Sequence, residues 1–241
     1  MERKIVSIYQ PCYLPPMHYI ERVLQSDVFV LLDDVQLNRR VGQARAHVAG
    51  KQGKVTLTVP VVGGNRVMLD EAQFADNGWE RKHIRTLKGL YGYKEGSRAK
   101  EWIDKIEEIM KIAIARDRLF SPFCDDLLRV VLDYLGWQGQ YVVASKDELV
   151  SGTKGIDPST RMLEITKVLG GTDYLCGAKA AEQYLNLDEF EQNGVNVLVQ
   201  NWKPREYKQK CKTFEPNLSI IDGLIMLSQE ELLESLIGGS L

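Results

Sequence analysis

An apolar run at residues 4–8 is long enough for a strand and apolar enough to be buried on both faces. Pro11, Pro15 and Pro16 follow it and keep a helix from starting before about Pro16. Proline is tolerated in a helix's first turn, where its missing N–H would have no partner. Ile20, Val23 and Leu24 then recur at i, i+3, i+4 spacing, so a helix running to about Gln25 should lay one side on a sheet. Residues 27–32 hold a second unbroken apolar run, Val28 to Leu32, and read as a strand. Two strands joined by one helix in so short a segment predict a parallel pair with a right-handed crossover.

The β-branched run at 55–61, with Pro60 near its end, suits a strand ending at a sheet edge. Gly63-Gly64-Asn65 signals a turn and makes 66–69 the returning strand of a hairpin. Trp79, His83, Leu87 and Leu90 fall at helical spacing, as do Trp102, Ile103, Ile106 and Met110. A third helix over 121–134 takes Ser121 as N-cap and Pro122 as its first residue, and ends at Gly136. Residues 76–135 therefore read as a mainly helical segment or small subdomain. Beyond them, strands at 141–144, 172–176 and 195–200 alternate with helices at 157–169, 178–184 and 187–193, after a polar loop at 145–156. Ser219 caps a helix over 220–227, with Asp222 placed as in a capping box. The fold class expected is α/β: a mostly parallel sheet starting with a βαβ unit, with a mainly helical middle segment, all in one domain over 1–241.

Composition narrows the setting. The chain has 241 residues, 44% hydrophobic and 27% charged, with a net charge of −2. That balance gives no electrostatic case for nucleic acid or an anionic membrane. No stretch approaches the ~18–20 apolar residues of a membrane span. The basic start MERKIVSIYQP has too short an apolar run for a signal peptide, so the cytoplasm is the default compartment. Cys12, Cys124, Cys176 and Cys211 are widely spaced and form no C-x-x-C pair, which argues against a thiolate zinc site.

Candidate chemistry gathers at the strand ends. Gln10, Tyr13 and His18 lie in or beside the first loop, and Asp33, Asp34 and Gln36 end the second strand. In a parallel unit these places adjoin, and ligands of open α/β sheets bind outside the carboxyl ends of the strands. Two carboxylates there suit metal binding, general-base work or an amine. The plainer alternative is that one caps a turn and the other is solvated. Lys82 and His83 share an amphipathic helix with Trp79, where a histidine is more often structural. Arg39, Arg40 and Arg45 suit a phosphate or carboxylate, or form a solvated basic loop. Tyr207 and Gln209, in an extended segment, could close over a ligand. Cys12 fills a tight loop, or acts as a nucleophile with His18 as its base. P-loop, G-x-G-x-x-G, G-x-S-x-G and H-E-x-x-H patterns are absent. No metal is expected, and the residues name no cofactor.

Taken in order, these segments resemble the WbqC-like protein family, from about Lys4 to Leu227. The resemblance rests on Gln10-Pro11-Cys12-Tyr13-Leu14-Pro15 with Tyr19, on Leu32-Asp33-Asp34-Val35-Gln36, and on Leu57-Thr58-Val59-Pro60-Val61. It rests also on Trp79 with Lys82-His83, on Tyr174-Leu175-Cys176-Gly177 and Tyr184-Leu185, and on Tyr207-Lys208-Gln209 with the closing run from Phe214 to Asp222. It implies a place in bacterial O-antigen or other surface-polysaccharide biosynthesis, and glycine-type acyl or aminoacyl transfer as the reaction. The chain departs from the pattern at His18, where Gly is usual, and at Pro16, where an aromatic is usual. It departs again at Ala44 and Ala46, each in place of Asn, and at Thr56 in place of Trp.

Three readings follow, in this order. The first is a transferase joining a small activated donor to a small acceptor, a sugar or an amine. His18 or His83 is its general base, Asp33 or Asp34 orients the base or holds an amine, and Arg45 grips an anionic donor. Gln10, Tyr13, Gln36, Arg39, Lys82, Tyr207 and Gln209 complete the expected binding set. The second is a nucleotidylyltransferase-like enzyme, with His18 near a helix N-terminus contacting phosphates. The third is a non-catalytic binding or scaffold protein, to which the alanines at 44 and 46 point.

Overall fold

A computed structural model of the chain describes residues 2–38, 42–63 and 67–237. Strand β1 (Ile5–Tyr9) is followed by helix α1 (Met17–Leu24) and strand β2 (Val28–Leu31). A hairpin of β3 (Arg45–Gly50) and β4 (Gly53–Thr58) comes next. Helices α2 (Trp79–Tyr91), α3 (Arg98–Arg116) and α4 (Phe120–Leu135) fill the middle of the chain. Then follow β5 (Gln140–Val143), α5 (Glu148–Ser151), α6 (Pro158–Val168), β6 (Asp173–Cys176), α7 (Ala178–Gln183), α8 (Leu187–Gln192) and β7 (Asn196–Val199). Helices α9 (Ile220–Met226) and α10 (Gln229–Ile237) close the described chain.

The main sheet runs β5-β2-β1-β6-β7, and every neighbouring pair is parallel. Val6 pairs with Val28 on one side of β1, and Ile5 with Asp173 on the other. The chain thus winds from β1 out to β2 and β5, then returns to the far side of β1. This α/β architecture, mostly parallel with a helical middle, is the one the hydrophobic pattern predicts.

Side chains alternate across a strand, so each strand feeds two cores. Phe29 and Leu31 join Tyr19, Phe123 and Trp102 on the face covered by α1 and the helical middle. Val6, Ile8, Val28 and Val30 join Met162, Ile165 and Phe190 on the face covered by α6 and α8. The middle helices and the sheet share the first of these cores.

Three local expectations fail, each for a visible reason. β4 pairs with the upstream β3, not with 66–69, because Gly50 and Gly53 flank a two-residue turn; Gly53 has φ 122°. Residues 64–66 lie outside the described ones, while Met68 only bridges Gln36. Ser121 lies inside α4 and does not cap it: Asp117 accepts from Leu119 N–H at 2.9 Å and Phe120 N–H bonds Ala72 at 2.7 Å, which starts the helix earlier. Ser219 does cap α9, but Asp222 turns into the core to accept from Tyr91 and Tyr207 hydroxyls instead of closing a capping box. The reciprocal capping box in this region belongs to α10, where Glu231 N–H bonds Ser228 Oγ and Ser228 N–H bonds Glu231.

Candidate functional site

Because β2 and β6 flank β1 and the chain reaches them in opposite directions, the sheet has a topological switch point between β1 and β6. In open α/β sheets the crevice outside the carboxyl ends of such strands is where ligands bind. Tyr9 and Gln10 end β1 there, Cys176 and Gly177 end β6, and Gln200 follows β7.

His18 is the second residue of α1 and is pointed back to this edge by Asn217, which comes in from the C-terminal segment with φ 58°. The His18 backbone N–H donates to Asn217 Oδ1 at 3.2 Å. A backbone N–H can only donate, so the amide oxygen, not its nitrogen, faces the ring. His18 Nδ1 lies 2.8 Å from the same oxygen and therefore carries the ring proton. Nε2 keeps its lone pair, and the Tyr9 hydroxyl donates to it across 3.0 Å. Burial holds the His18 pKa below its ordinary 6.5; the Asn217 bond opposes that and nearby Arg22 reinforces it. The ring is therefore neutral at pH 7. Burial raises the Tyr9 phenol, while the Arg22 guanidinium, 4.6 Å from the ring centre, pulls it back.

Arg22, one turn further along α1, is only 7% exposed. Its Nε and Nη2 both donate to Gln200 Oε1, at 3.1 and 2.5 Å. The Gln200 amide nitrogen donates to the His18 carbonyl at 2.7 Å and to the fully buried Glu21 carboxylate. Tyr9, His18, Arg22, Gln200 and Asn217 thus form one polar cluster at the switch point. A neutral histidine with a fixed tautomer and a hydroxyl on its free nitrogen can accept a proton directly or through that hydroxyl.

The expected residues divide between this cluster and other places. Gln10 adjoins it; its side-chain oxygen accepts from Gln43, and its carbonyl accepts from Tyr19. Asp33 and Asp34 stand at the adjacent end of β2, buried and engaged. Asp33 accepts from Ser145 N–H at 2.8 Å and Ser145 Oγ at 2.7 Å. Asp34 meets Arg161 Nη2 at 2.6 Å, with side-chain exposures of 2% and 6%. Tyr13 and His83 are paired in the apolar core, the hydroxyl 3.0 Å from Nδ1. His83 also bonds the Thr58 carbonyl, and burial brings its pKa down to about 4. Tyr13 and Thr58 thus engage His83 within the core, away from the switch point.

Tyr207 donates to Asp222 at 2.7 Å, and Gln209 binds both backbone groups of Glu215 across its own loop. Gln36, Arg45 and Lys82 are exposed, and Arg39 lies outside the described residues. Burial pushes the Cys12 thiol up to about 12, so it is not activated as a nucleophile. Among the described residues no group of three His, Cys, Asp or Glu side chains is placed to hold a metal. Tyr9, Arg22, Gln200 and Asn217 were not anticipated. Two sequence signals could have exposed them: Glu21-Arg22 within a short sheet-covering helix, and a glutamine directly after the last strand.

The fold and this cluster define an open, doubly wound α/β protein with a polar side-chain cluster at the switch point. The chain belongs to the WbqC-like protein family, whose sequence model matches residues 10–234. An uncharacterized protein of Mycobacterium tuberculosis (strain ATCC 25618 / H37Rv), Rv1507c, is 25% identical over 236 residues, covering 94% of this chain and 95% of the relative. No solved structure matches the chain. Among the described residues no helix is long and apolar enough to cross a membrane.

Proposed function

We propose that this chain is a group-transfer enzyme that moves an acyl or aminoacyl group, of the glycine type, onto a small amine or hydroxyl acceptor in bacterial surface-polysaccharide or related biosynthesis. The observation that carries the reading is the Nδ1–H tautomer of His18, with its unprotonated Nε2 facing the Tyr9 hydroxyl at the switch point. The acceptor X–H enters the crevice beside Tyr9. As X attacks the donor's carbonyl carbon, its proton passes to the Tyr9 oxygen and the Tyr9 proton passes to His18 Nε2. The carbonyl–leaving-group bond then breaks, and the proton returns from His18 to the leaving group. Asn217 accepts from Nδ1–H throughout and stabilises the transient imidazolium. In this reading Asp33, Asp34 and His83 hold the frame rather than transfer protons. The base is this chain's own, since the family pattern usually carries glycine at position 18.

The test is product formation by mass spectrometry from a panel of acyl and aminoacyl thioesters with amino-sugar acceptors. His18→Gln should slow transfer by roughly 10²-fold or more, the usual contribution of a general base. Equal rates in the variant, or no transfer from any donor, would count against the reading.

A second reading draws support from the strand order itself. The switch-point crevice of a doubly wound sheet commonly receives a nucleotide, so a nucleotidylyltransferase-like activity is the alternative. Stabilisation by a nucleoside triphosphate with Mg²⁺ in a thermal-shift screen, lost in His18→Gln, would favour it.

A further inference from the structure

Gln10 directly follows Tyr9 at the carboxyl end of β1, and a relay of hydrogen bonds sets which way its side-chain amide is turned. The Asn38 backbone N–H donates to Gln43 Oε1 at 3.0 Å. A backbone N–H can only donate, so the Gln43 oxygen is fixed on that side and its Nε2 on the other. That Nε2 meets Gln10, and an amide nitrogen also only donates, so the Gln10 atom facing it is the oxygen. Gln43 is 5% exposed, and its carbonyl accepts from the Tyr13 N–H at 2.8 Å, which anchors the relay to the first loop. Gln10 Nε2 is thereby turned away from Gln43. It has no partner among the described residues and is not sealed from solvent. The Gln10 carbonyl accepts from the Tyr19 hydroxyl at 3.3 Å, and the Tyr19 ring lies 4.1 Å from the Tyr9 ring, which ties Gln10 to the Tyr9–His18 pair. A neutral NH₂ group of set orientation is thus presented at the strand end where the site lies.

We propose that Gln10 Nε2 is the hydrogen-bond donor for the carbonyl oxygen of the transferred group, with Gln43 as the residue that positions it. The inference rests on the transfer reading of the switch point. As the acceptor attacks, the carbonyl π pair moves onto oxygen, and Gln10 Nε2–H donates to the oxyanion that forms. The pair returns to carbon as the bond to the leaving group breaks, and no proton leaves Gln10. A donor oriented before the charge develops needs no reorganisation at that moment. Tyr9 and His18 carry the proton, and Gln10 answers the charge on oxygen.

Two variants of the intact protein test it. Gln10→Glu keeps an oxygen for Gln43 Nε2 but replaces the outward donor with an acceptor. Gln43→Glu keeps an oxygen for the Asn38 N–H, and its second oxygen makes the Gln10 amide turn round, so that Gln10 is intact but faces the ligand with its oxygen. Each should lower kcat for transfer from acyl or aminoacyl thioesters roughly 10²-fold, with KM little changed, the usual cost of losing one oxyanion donor. Gln10→Glu should keep the wild-type urea midpoint, which separates the role from a structural one. A second readout needs no turnover: glycinamide carries the glycyl carbonyl with a poor leaving group. Titrated into the wild type, it should shift the Gln10 side-chain NH₂ signals in NMR in a saturable way, and that response should be lost in Gln43→Glu. Wild-type kcat in both variants overturns the proposal, as does a Gln10 NH₂ that does not respond to glycinamide. A saturable response in a protein that transfers nothing would sink the transfer reading and leave Gln10 as the carbonyl-binding donor.

Discussion

Substituting Asp34 separates a framework role from a catalytic one. The carboxylate and the Arg161 guanidinium lie 2.6 Å apart, and Arg161 Nε also donates to Thr153 at 3.2 Å. With side-chain exposures of 2% and 6%, neither charge has access to water as an alternative partner. Removing one member of such a buried pair leaves the other uncompensated and costs about 3–5 kcal/mol, whereas replacing both with apolar groups of similar volume is near neutral. Asp34→Asn and Arg161→Met should therefore each lower the unfolding free energy by about 3 kcal/mol or more. Asp34→Asn with Arg161→Met together should cost clearly less than the sum of the two single losses. Urea unfolding of the four proteins, monitored by tryptophan fluorescence, gives the double-mutant cycle directly. If Asp34→Asn keeps its stability within about 1 kcal/mol, or if the two losses simply add, the carboxylate is not held for the fold as argued.

His83 predicts an acid-sensitive fold. Its pKa in the folded chain, about 4, lies below the ordinary 6.5, so folding favours the neutral ring. The stability this contributes is complete above pH 6.5 and is lost as pH falls towards 4, up to about 3 kcal/mol over that window. Urea midpoints between pH 7 and 4 should fall more steeply in the wild type than in His83→Gln, and parallel curves would refute it. Tyr207→Phe removes one of two hydroxyls from the buried Asp222 carboxylate. It should lower stability by about 1.5–3 kcal/mol. A variant as stable as the wild type but impaired in ligand binding would instead give Tyr207 the ligand-closing role.

Much of the fold was legible because apolar runs and helical spacing are local signals. The βαβ start, the helical middle and the later strands lie where those patterns put them, within a residue or two. The hairpin partner was not legible: nothing in the 55–61 run says whether it pairs backwards or forwards, and Gly50 with Gly53 decides it. The site was half legible. Loop and strand-end placement pointed to Gln10 and His18, and also to Asp33 and Asp34, whose engagement with Ser145 and Arg161 spans more than a hundred residues. Asn217 and Gln200 act on His18 and Arg22 from equally remote positions, so no spacing rule reaches them.

The account turns on one ring. Long-range ¹H–¹⁵N NMR reads the protonation and tautomer of each of the three histidines in the chain. At pH 7 His18 should be neutral with its proton on Nδ1 and Nε2 unprotonated, and Asn217→Ala should loosen that preference. His18 found as an imidazolium at pH 7, or with its proton on Nε2, would contradict the claim that the switch point holds a poised base.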